Sequence, residues 1–195
     1  MMKVQVAMHP LSEKGVGPRV GFIVVESLGT HGVRFQPELP DVAEWGLRPG
    51  LHGFHVHELG HLEPTTKDDG SIVPGGAAGS HYDPMRTNSH QGPWGNGHLG
   101  DLPALTVEPD GSVVQSVVAP RLRFNQIQGR ALIVHLGGDN YTDTPPNGGG
   151  KRRVLGGVVT DDCPYCRPKG RTADALIGIG VGLLGLGVLV KASQD

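Results

Sequence analysis

Polar and apolar residues alternate from the start of the chain. Residues 4–8 and 20–27 are rich in β-branched side chains and bounded by Gly, Pro or Ser, and both read as strands. Residues 32–36 form a shorter third candidate. The segment 51–57 alternates too, and residues two apart on a strand share a face. Phe54 and Val56 would face one way there, and His55 and His57 the other. From Glu58 to Pro103 neither period is sustained, and so long an irregular stretch in a compact domain signals function. Strands resume at 105–108, 113–120 and 131–135, and 154–160 closes the series. Glu108-Pro-Asp-Gly111 is a hairpin-turn signal. About eight short strands without an amphipathic helix predict an all-β sandwich or small barrel.

Composition sharpens this picture. The 195 residues include 32 Gly and 16 Pro, which fits many short elements joined by turns. The formal net charge of −2 gives no basic surface for nucleic acid. Only two cysteines occur, Cys163 and Cys166, so the main domain, residues 1–160, has no disulfide framework. Residues 161–172 form a polar linker holding Cys163-Pro-Tyr-Cys166, and 173–195 form an apolar, Gly-rich tail.

Histidine is the anomaly. Ten occur, and seven of them lie between His52 and His98. The pair His55 and His57 on one strand is a weak signal alone. With His81, His90, His98, Asp101 and distant His135 it becomes a nitrogen-rich set with one carboxylate, which suits zinc and copper rather than magnesium or calcium.

On these residues the chain resembles the copper/zinc superoxide dismutase family, in its bacterial branch. The run Gly50-Leu-His-Gly-Phe-His-Val-His-Glu58 resembles the family's copper strand. Gly79-Ser-His-Tyr-Asp-Pro84, His90-Gln-Gly-Pro93 and Gly97-His-Leu-Gly-Asp-Leu-Pro103 resemble its zinc loop. Val134-His-Leu-Gly-Gly-Asp-Asn-Tyr-Thr-Asp143 resembles the segment of the last copper ligand. The resemblance covers roughly residues 3 to 160.

It implies an eight-stranded Greek-key β-barrel with long metal-binding and electrostatic loops. It implies that His55, His57, His81 and His135 hold copper, and that His81, His90, His98 and Asp101 hold zinc, with His81 shared. The implied reaction turns two superoxide anions into oxygen and hydrogen peroxide by copper redox cycling, zinc being structural and His81 carrying a proton. Asp139 would bridge His55 and His90 from outside the ligand set, with Asp143 as the alternative. Arg153 would guide the anionic substrate, flanked by Lys151 and Arg152. His52 would be structural, and His9, His31 and His61 ordinary surface or turn histidines. The competing function is a non-catalytic copper/zinc-binding or copper-handling module of the same fold.

The chain departs from the family at its disulfide. The loop position is Leu62, the final-strand position Gly156, and the alternative loop position Gly75. Cys163 and Cys166 are open to three readings: a local disulfide or idle thiols, a thiolate clip passing Cu(I) to the domain, or zinc sharing between chains.

Residues 175–190 carry no charge, and Arg167, Lys169 and Arg171 precede them while only Lys191 follows. With no N-terminal signal pattern, this predicts a domain tethered to the cytoplasmic face of a membrane by its tail. A soluble cytoplasmic protein is the alternative, and a second copy of the chain is a candidate partner.

Overall fold

The computed structural model describes residues 2–161. The linker beyond Asp161, the Cys163/Cys166 pair and the apolar tail lie outside them. Among the described residues no helix is long and apolar enough to cross a membrane.

Among the described residues, twelve strands and one single-turn α-helix follow in order. They are β1 (Lys3–Ser12), β2 (Gly15–Val16), β3 (Gly21–Ser27), β4 (Val33–Glu38), β5 (Gly50–His52) and β6 (Phe54–Val56). Then come β7 (Thr65–Thr66), β8 (Ile72–Val73), β9 (Leu105–Val107), β10 (Val117–Ala119), α1 (Phe124–Ile127), β11 (Ala131–His135) and β12 (Arg153–Val158). Eight of the strands form one antiparallel sheet, ordered β10-β4-β3-β1-β12-β11-β6, with β2 paired to β1.

The sheet curls. Phe35 on β4 meets Phe54 on β6 edge to face, with centroids 5.4 Å apart and planes at 90°. Four strands separate β4 from β6 along the sheet, so only a strongly bent sheet brings them together. The inward positions of both halves are fully buried, including Val6, Met8, Ile23 and Val25 on one side and Phe54, Val56 and Leu132 on the other. The alternation of β6 thus sends Phe54 and Val56 into the core and leaves His55 for the opposite face.

A second, smaller cluster packs Leu11, Leu62, Ala78, Ala131 and Ile133 on that opposite face. Leu62 is fully buried there. A Cβ on Gly156 would stand 2.9 Å from Leu62 Cδ2, 3.0 Å from Leu11 Cδ1 and 3.1 Å from Ile133 Cδ1. Leu62 and Gly156, the two positions at which the resemblance implies a disulfide, are therefore in contact, and a leucine fills the space above a glycine.

Three expectations need correction. The segment 51–57 is not one strand. It breaks at Gly53, so β5 pairs with β9 while β6 pairs with β11. Gly53 donates to Gly137 O (2.8 Å) and accepts from His135 N (2.8 Å), which ties the break to β11 and the loop after it. The turn at Glu108–Gly111 exists, with Gly111 N–H donating to Glu108 O at 2.9 Å, but it joins no hairpin. Its flanking strands pair elsewhere, β9 with β5 and β10 with β4, and of residues 113–120 only 117–119 are strand. The stretch after Glu58 is irregular as expected, with β7 and β8 pairing only as a two-residue ribbon. Finally, His9 is no surface histidine. It lies buried on β1 with Nδ1 2.9 Å from Gly17 O, and burial lowers its pKa.

Candidate metal centre

Backbone pairing brings the donors together. An isolated bridge pairs His57 with His81, and another pairs His55 with Asp101. Three hydrogen bonds lace these segments: Tyr82 N to Val56 O (2.9 Å), Val56 N to Gly100 O (2.9 Å) and Gly100 N to Tyr82 O (2.8 Å). The irregular loop is thereby stitched to the rigid strand β6. His135 joins from β11, whose Ile133 pairs with His55.

Two groups of donors result. His55, His57, His81 and His135 each offer a nitrogen within 4.8 Å of the others, and all four residues are buried. Three of the nitrogens, His55 Nδ1, His57 Nε2 and His135 Nε2, are buried and lack any hydrogen-bond partner. Orphaned buried polar atoms are costly, and three converging ones fit a metal ion. Burial holds the pKa of all four imidazoles down, with neighbouring histidines adding to the effect at His57, His81 and His135. His81 falls to about 3. They are neutral at physiological pH, as ligand imidazoles must be.

On the other side of His81 the donors converge on one oxygen. Nδ1 of His81 and of His90 each lie 3.0 Å from Asp101 Oδ1, and Nδ1 of His98 lies 3.3 Å from it. Zinc bonds of about 2.0–2.1 Å in a tetrahedron set neighbouring donors about 3.3 Å apart, so three nitrogens and one oxygen at this spacing suit zinc. The compact four-atom grouping on this side contains His55 in place of His98. The hydrogen bonding favours His98, because His55 commits Nε2 to Asp139 and its remaining Nδ1 belongs to the first group. His81 uses Nδ1 on the zinc side, which leaves Nε2 for the copper side.

Asp139 supports both groups. Its Oδ2 lies 2.8 Å from His55 Nε2, and its Oδ1 lies 2.8 Å from His90 Nε2. Asp143 contacts neither ring. It accepts from the His90 backbone N–H (2.7 Å) and from Ser89 Oγ (3.0 Å). Gly148 makes room for Asp139, since a Cβ there would fall 2.0 Å from Asp139 Oδ1, at a φ of +66°. Although burial opposes ionisation, the His55 and His90 hydrogen bonds hold the Asp139 carboxyl well below its usual range. Asp101 is lowered in the same way by His81, His90 and His98. Burial alone would depress His90, but Asp101 and Asp139 outweigh it and raise His90 to about 9.

A cleft of about 650 Å³ leads to His57, His81 and His135. Five cationic residues line it, Lys67, Arg86, Lys151, Arg152 and Arg153, against three acidic ones, Glu58, Asp83 and Asp143. The mouth is therefore positive on a slightly negative chain. Arg153 is braced by donating to the carbonyl of Gly75 and to that of Gly79 (2.6 Å). Lys67 and Arg86 were invisible in the sequence pattern, because they sit in irregular loops whose spacing says nothing about the cleft. His52 stands outside both groups, with its ring nitrogens 3.0 Å from His135 O and 2.8 Å from Arg48 O. His31 and His61 are exposed.

Residues 21–159 match the family model described as copper/zinc superoxide dismutase. The chain is 44% identical over 157 residues to the Superoxide dismutase [Cu-Zn] of Escherichia coli K12, covering 80% of this chain and 87% of that one. Among solved structures it resembles the Cu/Zn superoxide dismutase from Brucella abortus, with a TM-score of 0.75, 45% identity, and coverage of 82% of this chain and all of that one. The monomeric copper, zinc superoxide dismutase from Salmonella enterica gives a TM-score of 0.71 at 42% identity over 82% of this chain and all of that one.

Proposed function

The chain belongs to the copper/zinc superoxide dismutase family, and from that premise we propose how its residues divide the conversion of superoxide to oxygen and hydrogen peroxide. The observation that carries the reading is the intact donor set: four converging buried histidines on one side and three histidine nitrogens on Asp101 on the other. A copper-handling module without catalysis would tolerate loss of a copper donor, and none is lost.

When bound, copper supplies one-electron oxidation and reduction of superoxide, while zinc supplies fixed charge without a redox step. The residues do the rest. His55 on β6, His57 just beyond its end and His135 on β11 would hold copper, with His81 as the fourth donor. His90, His98 and Asp101 would hold zinc together with Nδ1 of His81. With Nδ1 of His81 given to the zinc side, its Nε2 would be the ring position able to carry a proton to the departing peroxide. Asp139 fixes the tautomer of His55 and His90 by accepting from both Nε2 atoms. Arg153, which lines the cleft together with His57 and His135, attracts and orients the anion.

We also infer that the curled sheet closes as a Greek-key barrel around the core. The tail at 175–190, tethering the domain to the cytoplasmic face of a membrane, is a proposal from sequence alone. Fractionation of the full chain against one ending at Thr172 tests it, and equal solubility without detergent contradicts it. Role assignment is tested by metal content. His135→Ala should abolish turnover and keep most zinc, whereas His98→Ala should chiefly lose zinc. Full turnover in His135→Ala would overturn the assignment.

A further inference from the structure

Arg121 stands in the turn after β10, between the buried Ala119 and Leu122. Its guanidinium reaches across to the zinc-side loop. Nη1 donates to Gly97 O at 3.2 Å, and Nη2 donates to Gly97 O at 3.3 Å and to His98 O. Nε is buried and has no hydrogen-bond partner. None of the ion pairs among the described residues includes Arg121, and Asp101 and Asp83 act on it only as nearby charges.

The two carbonyls flank one residue. Gly97 O and His98 O belong to the peptide groups on either side of the His98 Cα, so the guanidinium grips the backbone that aims the His98 ring. His98 needs such a grip. It lies on irregular backbone, its side chain is 14% exposed where those of His90 and Asp101 are 0%, and its contact with Asp101 is the longest of the three. The same His98 carbonyl is approached by the Asp101 N–H at 3.4 Å, so the clamp also bears on the turn that joins the two ligands.

We propose that Arg121 is a positioning residue for the zinc site, which fixes His98 through its flanking carbonyls; this rests on the zinc reading above. Charge alone predicts the opposite effect, because a guanidinium repels a dication. The sign of the change on removing Arg121 therefore separates positioning from electrostatics.

The test uses the full chain loaded with copper and zinc, and follows zinc transfer to a chromophoric chelator. Arg121→Met should weaken zinc affinity about 10- to 100-fold, the usual effect of losing an outer partner of a metal ligand. Arg121→Lys, which keeps the charge if the Met variant folds poorly, should recover little, because an ammonium does not reproduce the planar fork. In a His98→Ala background the effect of Arg121→Met should shrink below about threefold, because positioning needs the ligand it positions. Unchanged or tighter zinc binding in Arg121→Met, or an undiminished effect in the His98→Ala background, overturns the proposal alone. A parent chain that takes up no zinc overturns the zinc reading as well.

Discussion

Leu62→Ala probes how this domain holds its metal-bearing loop without the family's disulfide. Leu62 is fully buried against Leu11, Ala78, Ala131 and Ile133, and its Cδ2 lies over Gly156. Truncation removes three carbons, about 2.4 kcal/mol at roughly 0.8 kcal/mol per buried methylene. The cavity left behind adds to this, for a total of about 3–4 kcal/mol. Gly156→Ala alone should cost about 1–3 kcal/mol, since its methyl group would meet three side-chain ends at 2.9–3.1 Å. In the Leu62→Ala background that methyl group enters vacated space, so the double variant should be less destabilised than the sum by about 1 kcal/mol or more. Urea unfolding of metal-free protein measures all three changes without a contribution from bound ions. A Leu62→Ala cost below about 1 kcal/mol, or strict additivity, would refute the idea that this contact pins the loop.

Reductant should leave the melting temperature of a chain ending at Thr160 unchanged, because that chain contains no cysteine; a marked fall contradicts this. Arg153→Glu should slow dismutation by tenfold or more with copper content retained, and the parent rate should fall as salt screens the positive cleft. A salt-independent rate refutes steering. Zinc binding should release a proton from His90, whose pKa is raised to about 9 in the metal-free protein. Protons compete with the ion, so apparent zinc affinity should rise about tenfold per pH unit between pH 7 and 9 and level off above. A flat profile by chelator competition contradicts the pairing of His90 with Asp101 and Asp139.

Much of the site was legible in the sequence because its chemistry depends on residue type. Neutral imidazoles are scarce, so seven donors at distinctive spacings stand out even in loops. The long strands β1 and β3 were legible through their β-branched residues and the Gly, Pro or Ser that bound them. What escaped was decided by backbone geometry. Nothing in the alternation of 51–57 shows that Gly53 breaks the pairing and hands β5 to another partner. His9 looks like any polar residue in a strand, yet β1 is covered on both faces along its second half. Arg121 and Arg86 carry no pattern at all, because their targets are backbone carbonyls and a cleft assembled from distant loops.

The most direct test of the central claim is the dismutation rate, measured by pulse radiolysis, as copper is titrated into zinc-loaded, copper-free protein. The rate should rise in proportion to copper and stop at one equivalent per chain, with zinc-only protein inactive and His135→Ala inactive at every ratio. Turnover without copper, or a site filled with copper that leaves superoxide decay at its uncatalysed rate, would contradict the account.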